Sequence, residues 1–274
     1  MTGLDRPILL VGCGKMGGAL LAGWLGRGTK PASVTVVEPN AELAERVRAE
    51  HGVAVVTEAA MLGPTLDPAV VLLAVKPQMM DAALPAYRRH ARPGTLFLSI
   101  AAGKTIGTFE RQLGAEARIV RAMPNTPAAV GRGITAAVAN GKVSQAQRAR
   151  CHGLLEAVGE VVWLDDEALL DPVTAVSGGG PAYVFLLIET LARAGAKAGL
   201  PEDVAMRLAR ATVCGSGELA YRSSEPAATL RQNVTSPAGT TLEALKVLMA
   251  EDGLQPLFDR AIAAATRRSR ELAG

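Results

Sequence analysis

Two stretches of this chain suit an anionic ligand, and they lie near opposite ends. Asn233-Val-Thr-Ser-Pro-Ala-Gly-Thr-Thr241 sets five small polar side chains, a proline and a glycine in a row with no ionisable group. An apolar helical pattern, Leu242–Met249, follows at once. The N-terminus of a helix carries unsatisfied N–H donors and a partial positive charge, so such a turn receives a carboxylate or phosphate without lysine or arginine. Ser236, Gly239, Thr240 and Thr241 are the candidates for this role. The second stretch, Gly12-Cys13-Gly14-Lys15-Met16-Gly17, comes straight after the apolar run Ile8–Val11. Its first glycine permits a tight turn, its second lets backbone approach a pyrophosphate, and its third allows close helix–strand packing. An acidic residue belongs about twenty residues further on, at the end of the second strand. Glu38 stands there. One turn for a dinucleotide and one for a small acid point to a redox enzyme.

Glu38 is placed to accept hydrogen bonds from the adenosine ribose hydroxyls of NADH, and its charge opposes the extra phosphate of NADPH. That tilts the cofactor choice towards NADH, although Lys30, Arg46 and Lys76 are available to offset the repulsion. A solvated glutamate at a strand end is the alternative. Further loops follow later strands. Ala74-Val75-Lys76-Pro77 closes the fourth, and Ile100, Ala101, Ala102 and Gly103 close the fifth. Ligands of doubly wound sheets lie off the carboxyl ends of the strands, so both loops are expected to flank the cofactor. Asn125, in Arg121–Pro127, either faces the nicotinamide or holds a structural turn. Val176-Ser-Gly-Gly-Gly-Pro-Ala-Tyr183 reads as a hinge entering a helix through a proline, with three glycines that would admit another backbone. The histidines, His51, His90 and His152, sit away from these loops and are expected at the surface. No metal pattern, nucleophile elbow or paired carboxylates stand out, so the chemistry needs no strong general base.

The elements that hold these residues are legible in the hydrophobic periodicity. Apolar runs at 8–11, 33–37, 53–56, 70–75, 96–100, 118–123, 133–139 and 158–164 alternate with helical patterns at 17–26 and 41–50. Strands alternating with helices imply parallel βαβ units in a doubly wound sheet, with the last strand expected to be antiparallel because little helix separates some of them. After Asp165-Asp166 only helical periods remain, at 167–175, 181–199, 202–222, 226–232, 240–250 and 253–272. The pattern is that of an α/β protein: a Rossmann-like dinucleotide-binding domain over 1–164 and an all-α domain over 165–274. Helices apolar on several faces, such as 181–199, are usually buried. Dimerisation through the helical domain is the expectation.

Composition narrows the function classes. Apolar residues make up 49% of the 274 positions and charged residues 20%, which excludes disorder. Aromatics are only 3% against 29 glycines, so small aliphatic side chains and close backbone approaches build the core. The net charge of +3 is spread without a basic stripe, which gives nucleic-acid binding no support. Glu189, Arg193 and Lys197 interrupt the longest apolar helix four residues apart, giving an amphipathic segment rather than a membrane span. Three scattered cysteines fit a reducing, cytoplasmic compartment, and the first residues run into a strand with no signal-peptide pattern.

Taken in order, the glycine turn, Ala74-Val-Lys-Pro77, Met123-Pro-Asn-Thr-Pro127, Ser177–Tyr183 and the Val234–Thr241 tract resemble pyrroline-5-carboxylate reductase along essentially the full length. The resemblance implies reduction of 1-pyrroline-5-carboxylate to L-proline with NADPH or NADH, the last step of proline biosynthesis. It also implies a Rossmann-like domain, a helical dimerisation domain and, in some members, dimers assembled into larger rings. Carried over by position, Gly12–Gly17 and Ala74–Pro77 would hold the cofactor, Ile100–Ala102 would line it, and Asn233 would reach it from the helical domain. Ser236, Gly239, Thr240 and Thr241 would bind the substrate carboxylate and ring nitrogen, with the Thr241 hydroxyl positioning or delivering the proton. Two departures stand out: Gly179 where the family commonly has serine, and Ala238 where it has glycine. A reductase of the hydroxyacid-dehydrogenase type, using a helix lysine such as Lys197, is the competing enzyme class; a dinucleotide-sensing module is the competing non-enzyme.

Overall fold

A computed structural model describes residues 6–273. The chain divides into two compact units, Met1–Gly178 joined by Thr266–Gly274, and Gly179–Ala265.

In the first unit the described strands form one eight-stranded sheet in the order β3-β2-β1-β4-β5-β6-β7-β8. They are β1 (Ile8–Val11), β2 (Val34–Val37), β3 (Ala54–Val56), β4 (Val70–Leu73), β5 (Leu96–Ser99), β6 (Arg118–Met123), β7 (Gly133–Ala139) and β8 (Gly159–Trp163). The first six pair in parallel. Only the short turn Thr126–Val130 joins β6 to β7, too little chain for a crossover, so that pair is antiparallel. A full helix, α5 (Gln145–Glu156), separates β7 from β8, and these two run parallel again. The reversal expected of the last strand therefore comes one strand earlier, at β7, and β8 keeps the reversed direction.

β1, β4 and β5 are apolar at almost every position because helices cover both faces. Successive side chains point to opposite faces of a strand. Ile8 and Leu10 thus pack with Trp24, Leu72 and Leu154 on one side, among α1 (Lys15–Gly26), α2 (Ala41–His51) and α5. Leu9 and Val11 pack on the other with Leu73, Phe97 and Phe109, under α3 (Pro77–Ala83) and α4 (Ile106–Leu113). The chain winds outward from β1 through β2 to β3, then returns to set β4 on the other side of β1. Such a switch point opens a crevice at the carboxyl ends of β1 and β4.

After Trp163 no further strand occurs among the described residues. A short helix α6 (Leu170–Val173) runs into a π-helical turn, Thr174–Gly178, which leads to α7 (Gly180–Lys197). Then come α8 (Glu202–Arg222), α9 (Ala227–Asn233), α10 (Thr240–Leu248) and α11 (Leu254–Ala273). α7 and α8 pack along one another with Ala192, Ala205 and Ala209 between them. Pro181 lies in the first turn of α7, as its sequence position implies.

Candidate active site

The glycine turn lies at the switch point. Gly12 has φ +86°, a left-handed conformation that costs glycine little, and its N–H donates to the Val37 carbonyl at 2.8 Å. A side chain there would press on the Ala74 backbone, while one at Gly17 would collide with the Gly12 carbonyl. The turn after β1 and the Ala74–Pro77 turn after β4 therefore meet backbone to backbone. Gly14 is different. It is exposed, it caps α1, and a Cβ there would touch nothing. No side chain caps this twelve-residue helix and no acidic residue stands in its first turn. The backbone is thus open to an approaching phosphate where the dinucleotide pattern requires it, and the residues fit the cofactor.

Glu38 is buried, which rules out the solvated alternative. One carboxylate oxygen accepts from the Cys13 N–H at 2.8 Å and the other from the Asn40 N–H at 3.0 Å. The side chain therefore ties the glycine turn to the loop after β2, a role its sequence position did not disclose. Burial, helped by the Glu38 charge, pushes the Cys13 thiol up to about 11, so it stays protonated near neutrality. Beside it a cavity of about 430 Å³ lies between α1 and α2, lined by Cys13, Gly14, Lys15, Arg46 and His51 among others. Of the three cations named to offset Glu38, Arg46 is the one in this cavity. Lys15 and Lys76 are exposed, Met16 is half-buried, and Val75 and Pro77 line the neighbouring turn.

After β5, Ile100 is half-buried, Ala101 is buried, and Gly103 has φ +71°. Asn125 is spent on structure: its carbonyl accepts from the Ile134 N–H at 2.9 Å and its amide donates to the Ser177 hydroxyl at 3.2 Å. At Gly178 and Gly180 no second backbone of this copy lies close. A side chain at Gly178 would meet the Met123 methyl at 2.6 Å, and one at Gly180 would meet nothing. Two histidines are at least partly exposed, but His90 is buried, contrary to the surface expectation. Burial and the neighbouring Arg89 and Arg92 hold its pKa below the usual imidazole value. It closes the turn Leu84–His90 before β5, at the amino end of the sheet, away from the crevice.

In the second unit, Asn233 ends α9 and the tract turns through Ser236-Pro237-Ala238-Gly239. The Gly239 N–H donates to the Ser236 carbonyl at 3.1 Å, and Ala238 takes φ +57°. Proline second and a positive φ third are the marks of a type II turn, which prefers glycine at the third place. Ala238 is the only described non-glycine residue in that region of φ. Gly239 caps α10 without a side-chain partner, and Thr240 and Thr241 open the helix. Ser236, Thr240 and Thr241 are exposed. A Cβ at Gly239 would strike the Ser236 hydroxyl, so glycine there lets that hydroxyl fold over the helix start. The result is an uncapped helix N-terminus with the exposed residues Ser236, Thr240 and Thr241 at or beside its first turn.

The model of the pyrroline-5-carboxylate reductase dimerisation domain matches residues 167–272, and an NADP oxidoreductase model, described as coenzyme F420-dependent, matches residues 7–103. The pyrroline-5-carboxylate reductase of Pseudomonas aeruginosa is 42% identical over 97% of this chain and 96% of its own. That of Synechocystis is 40% identical over 96% and 97%. The chain belongs to the pyrroline-5-carboxylate reductase family. It is accordingly an NAD(P)-dependent oxidoreductase. The Coxiella burnetii member superposes with a TM-score of 0.92 at 34% identity, covering 98% of this chain and 99% of that one. The Plasmodium falciparum pyrroline carboxylate reductase, solved with NADP bound, gives 0.81 at 28% identity, with coverage of 98% and 99%. Membership in this family displaces the hydroxyacid-dehydrogenase reading, and Lys197 is an exposed residue at the end of α7.

Proposed function

We propose that this chain reduces 1-pyrroline-5-carboxylate to L-proline with NADH or NADPH, the closing step of proline biosynthesis, using the residues at the two turns. The observation that carries the assignment of the substrate end is the uncapped start of α10. A small carboxylate fits there against the N–H groups of Thr240 and Thr241 and the Ser236 hydroxyl, on a turn that the Gly239 N–H closes. The cyclic imine, once protonated, is already electrophilic, so orientation and a proton source are the chief requirements. The bound dinucleotide supplies the hydride. Thr241 is the catalytic residue in this reading: its hydroxyl hydrogen-bonds the ring nitrogen and helps hold or deliver the proton that nitrogen carries in proline. Thr240 supports the same turn.

Gly12, Cys13, Gly14, Lys15, Met16 and Gly17 form the dinucleotide turn, which receives the phosphates at the open backbone of Gly14, with Ala74, Val75, Lys76 and Pro77 beside it. Ile100, Ala101 and Ala102 line the nicotinamide end, and Asn233 contributes from the helical part. Glu38 keeps free lone pairs for the adenosine ribose while it fastens the glycine turn.

Functionally the division falls at residue 164. The last strand ends at Trp163 and the dimerisation match begins at 167, which supports domains of 1–164 and 165–274. Exposed Val184, Phe185, Leu186, Leu187 and Leu191 on α7 need a cover. By length and composition the stretch Glu167–Lys197 could cross a membrane. The charges at Glu189, Arg193 and Lys197 and the dimerisation match favour a second copy instead: a homodimer through the C-terminal helices, with larger rings built from dimers, in the cytoplasm and without nucleic acid.

Initial rates with 1-pyrroline-5-carboxylate, measured with NADH and NADPH side by side, test the activity; proline must appear as dinucleotide is oxidised. Thr241→Ala should then lower kcat by roughly 10- to 10³-fold with little change in cofactor affinity, and Thr241→Ser should keep most of the rate. Near-normal turnover by the alanine variant would remove Thr241 from the mechanism.

A further inference from the structure

The corner that follows β5, Ile100–Thr105, is held by both ends of the segment matched as the dimerisation domain. From its first residue, Glu167, one carboxylate oxygen accepts from the Ile106 N–H at 2.8 Å and from Arg121 Nη1 at 2.9 Å. Ile106 opens α4, whose cap Thr105 accepts from the Thr108 N–H at 3.3 Å. Arg121 is buried and stands in register with Ser99, the residue just before Ile100. Leu170, also buried, packs in the same cluster as Ala101, Ile106 and Phe109. From the last residues of the segment, the Leu272 carbonyl lies 3.0 Å from where a Cβ on Gly103 would be, and Gly103 has φ +71°. Ser269 joins the two ends by donating to Asp171 at 2.7 Å. Within the corner, the Ile100 N–H donates to the Leu73 carbonyl at 3.2 Å and the Ala101 N–H to the Ser99 hydroxyl at 3.3 Å, while the Lys104–Asp81 pair at 2.7 Å involves a more exposed carboxylate and contributes little.

We infer that Glu167 is a positioning residue for dinucleotide binding: its carboxylate fixes the Ile100–Thr105 corner through the Ile106 N–H and Arg121, linking the dimerisation segment to the nicotinamide end of the site. This rests on the proposed lining role of Ile100–Ala102. A carboxylate at the start of α4 also complements the partial positive charge of that helix end. Removing it frees the corner to move without touching the substrate turn.

The test compares Glu167→Ala, Glu167→Gln and Glu167→Asp by steady-state kinetics, with NADH and NADPH titrated directly. Hydrogen bonds to charged groups are worth enough that the alanine variant should raise the dinucleotide KM by about tenfold, with kcat and the imine KM within about twofold. Glutamine still accepts from the Ile106 N–H and should restore most of the affinity. Aspartate keeps the charge near Arg121 but, one methylene shorter, falls short of the Ile106 N–H and Arg121 Nη1 that share one oxygen, and should behave like alanine. The opposite pattern, rescue by aspartate and failure of glutamine, would reduce Glu167 to a structural ion pair and overturn the inference. Should Glu167→Ala leave Arg121 too poorly paired to fold, the glutamine and aspartate variants still decide the matter. Ala102→Leu separates the underlying reading. If it leaves dinucleotide binding unchanged, the lining role is wrong; if it weakens binding while all Glu167 variants bind normally, the lining stands and the inference falls.

Discussion

In the sheet unit Leu10, Trp24, Leu72 and Phe97 are sealed from water, with helices over both faces of the strands. In Gly179–Ala265 the buried residues are Ala192, Ala205 and Ala209, while Phe185 and Leu187 are 59% and 50% exposed. Full burial of a Leu or Phe is worth about 1.5–3 kcal/mol, so a helical unit that buries only alanines lacks a core of its own. The two regions have comparable apolar patterning and opposite outcomes. The sheet closes its core within one copy. The helices, in the proposed dimer, complete theirs against a second copy. The proposed substrate turn belongs to the unit that would need this help, and the glycine turn belongs to the unit that does not.

Leu187→Glu should break the comparison most severely. An unpaired charge in an apolar interface costs several kcal/mol, so the variant should sediment as a monomer and lose reduction. Dinucleotide binding should survive within a few-fold, because Gly12–Gly17 rest on a core that no partner completes. A fully active monomer would show that the exposed helices have another purpose.

The next effect lies in the sheet unit and should leave assembly untouched. Glu38→Ser removes a charge from the adenosine side of the crevice, and the ratio of kcat/KM for NADPH over NADH should rise by about tenfold, or ~1.4 kcal/mol. The same change unties Cys13 and Asn40, so both cofactors should bind more weakly while the ratio shifts. An unchanged ratio would leave Glu38 as a fastening of the glycine turn alone.

The smallest effect sharpens the comparison within the helical unit. Ala238 holds a left-handed conformation that costs a non-glycine residue about 1–2 kcal/mol. Ala238→Gly removes that strain, offset in part by the greater freedom of glycine in the unfolded chain, for a net gain of roughly 0.5–1 kcal/mol in thermal unfolding. A loss of stability would mean that the alanine methyl makes a contact worth more than the strain.

Most of the fold was legible because strand and helix periods are local. β6 and β7 fall at their expected bounds, and each helical period after Asp166 is occupied by helix in the structure. That a strand reverses was legible from the little helix between some strands, but its place at β7 rather than at the last strand was not. What local patterns do not carry are partnerships between distant residues. Glu38 could be placed at the end of β2, but not its bond to the Cys13 N–H. His90 is polar in sequence and flanked by arginines, yet it packs into the turn before β5. Ala238 stood out as a departure from glycine, but only its backbone angle shows a cost. Glu167 drew no notice, since nothing near it in sequence announces Arg121 or Ile106.

Hydrogen exchange on the wild type and on Leu187→Glu, read by mass spectrometry, tests most directly whether the helices depend on a partner. Amides open in cooperative units whose protection reflects local stability. With a core completed only in the dimer, α7 and α8 should lose protection in the monomeric variant while β1, β4 and β5 keep theirs. Equal protection of α7 and α8 in wild type and in a variant that sediments as a monomer would contradict this dependence, because the helical unit would then hold together without a partner.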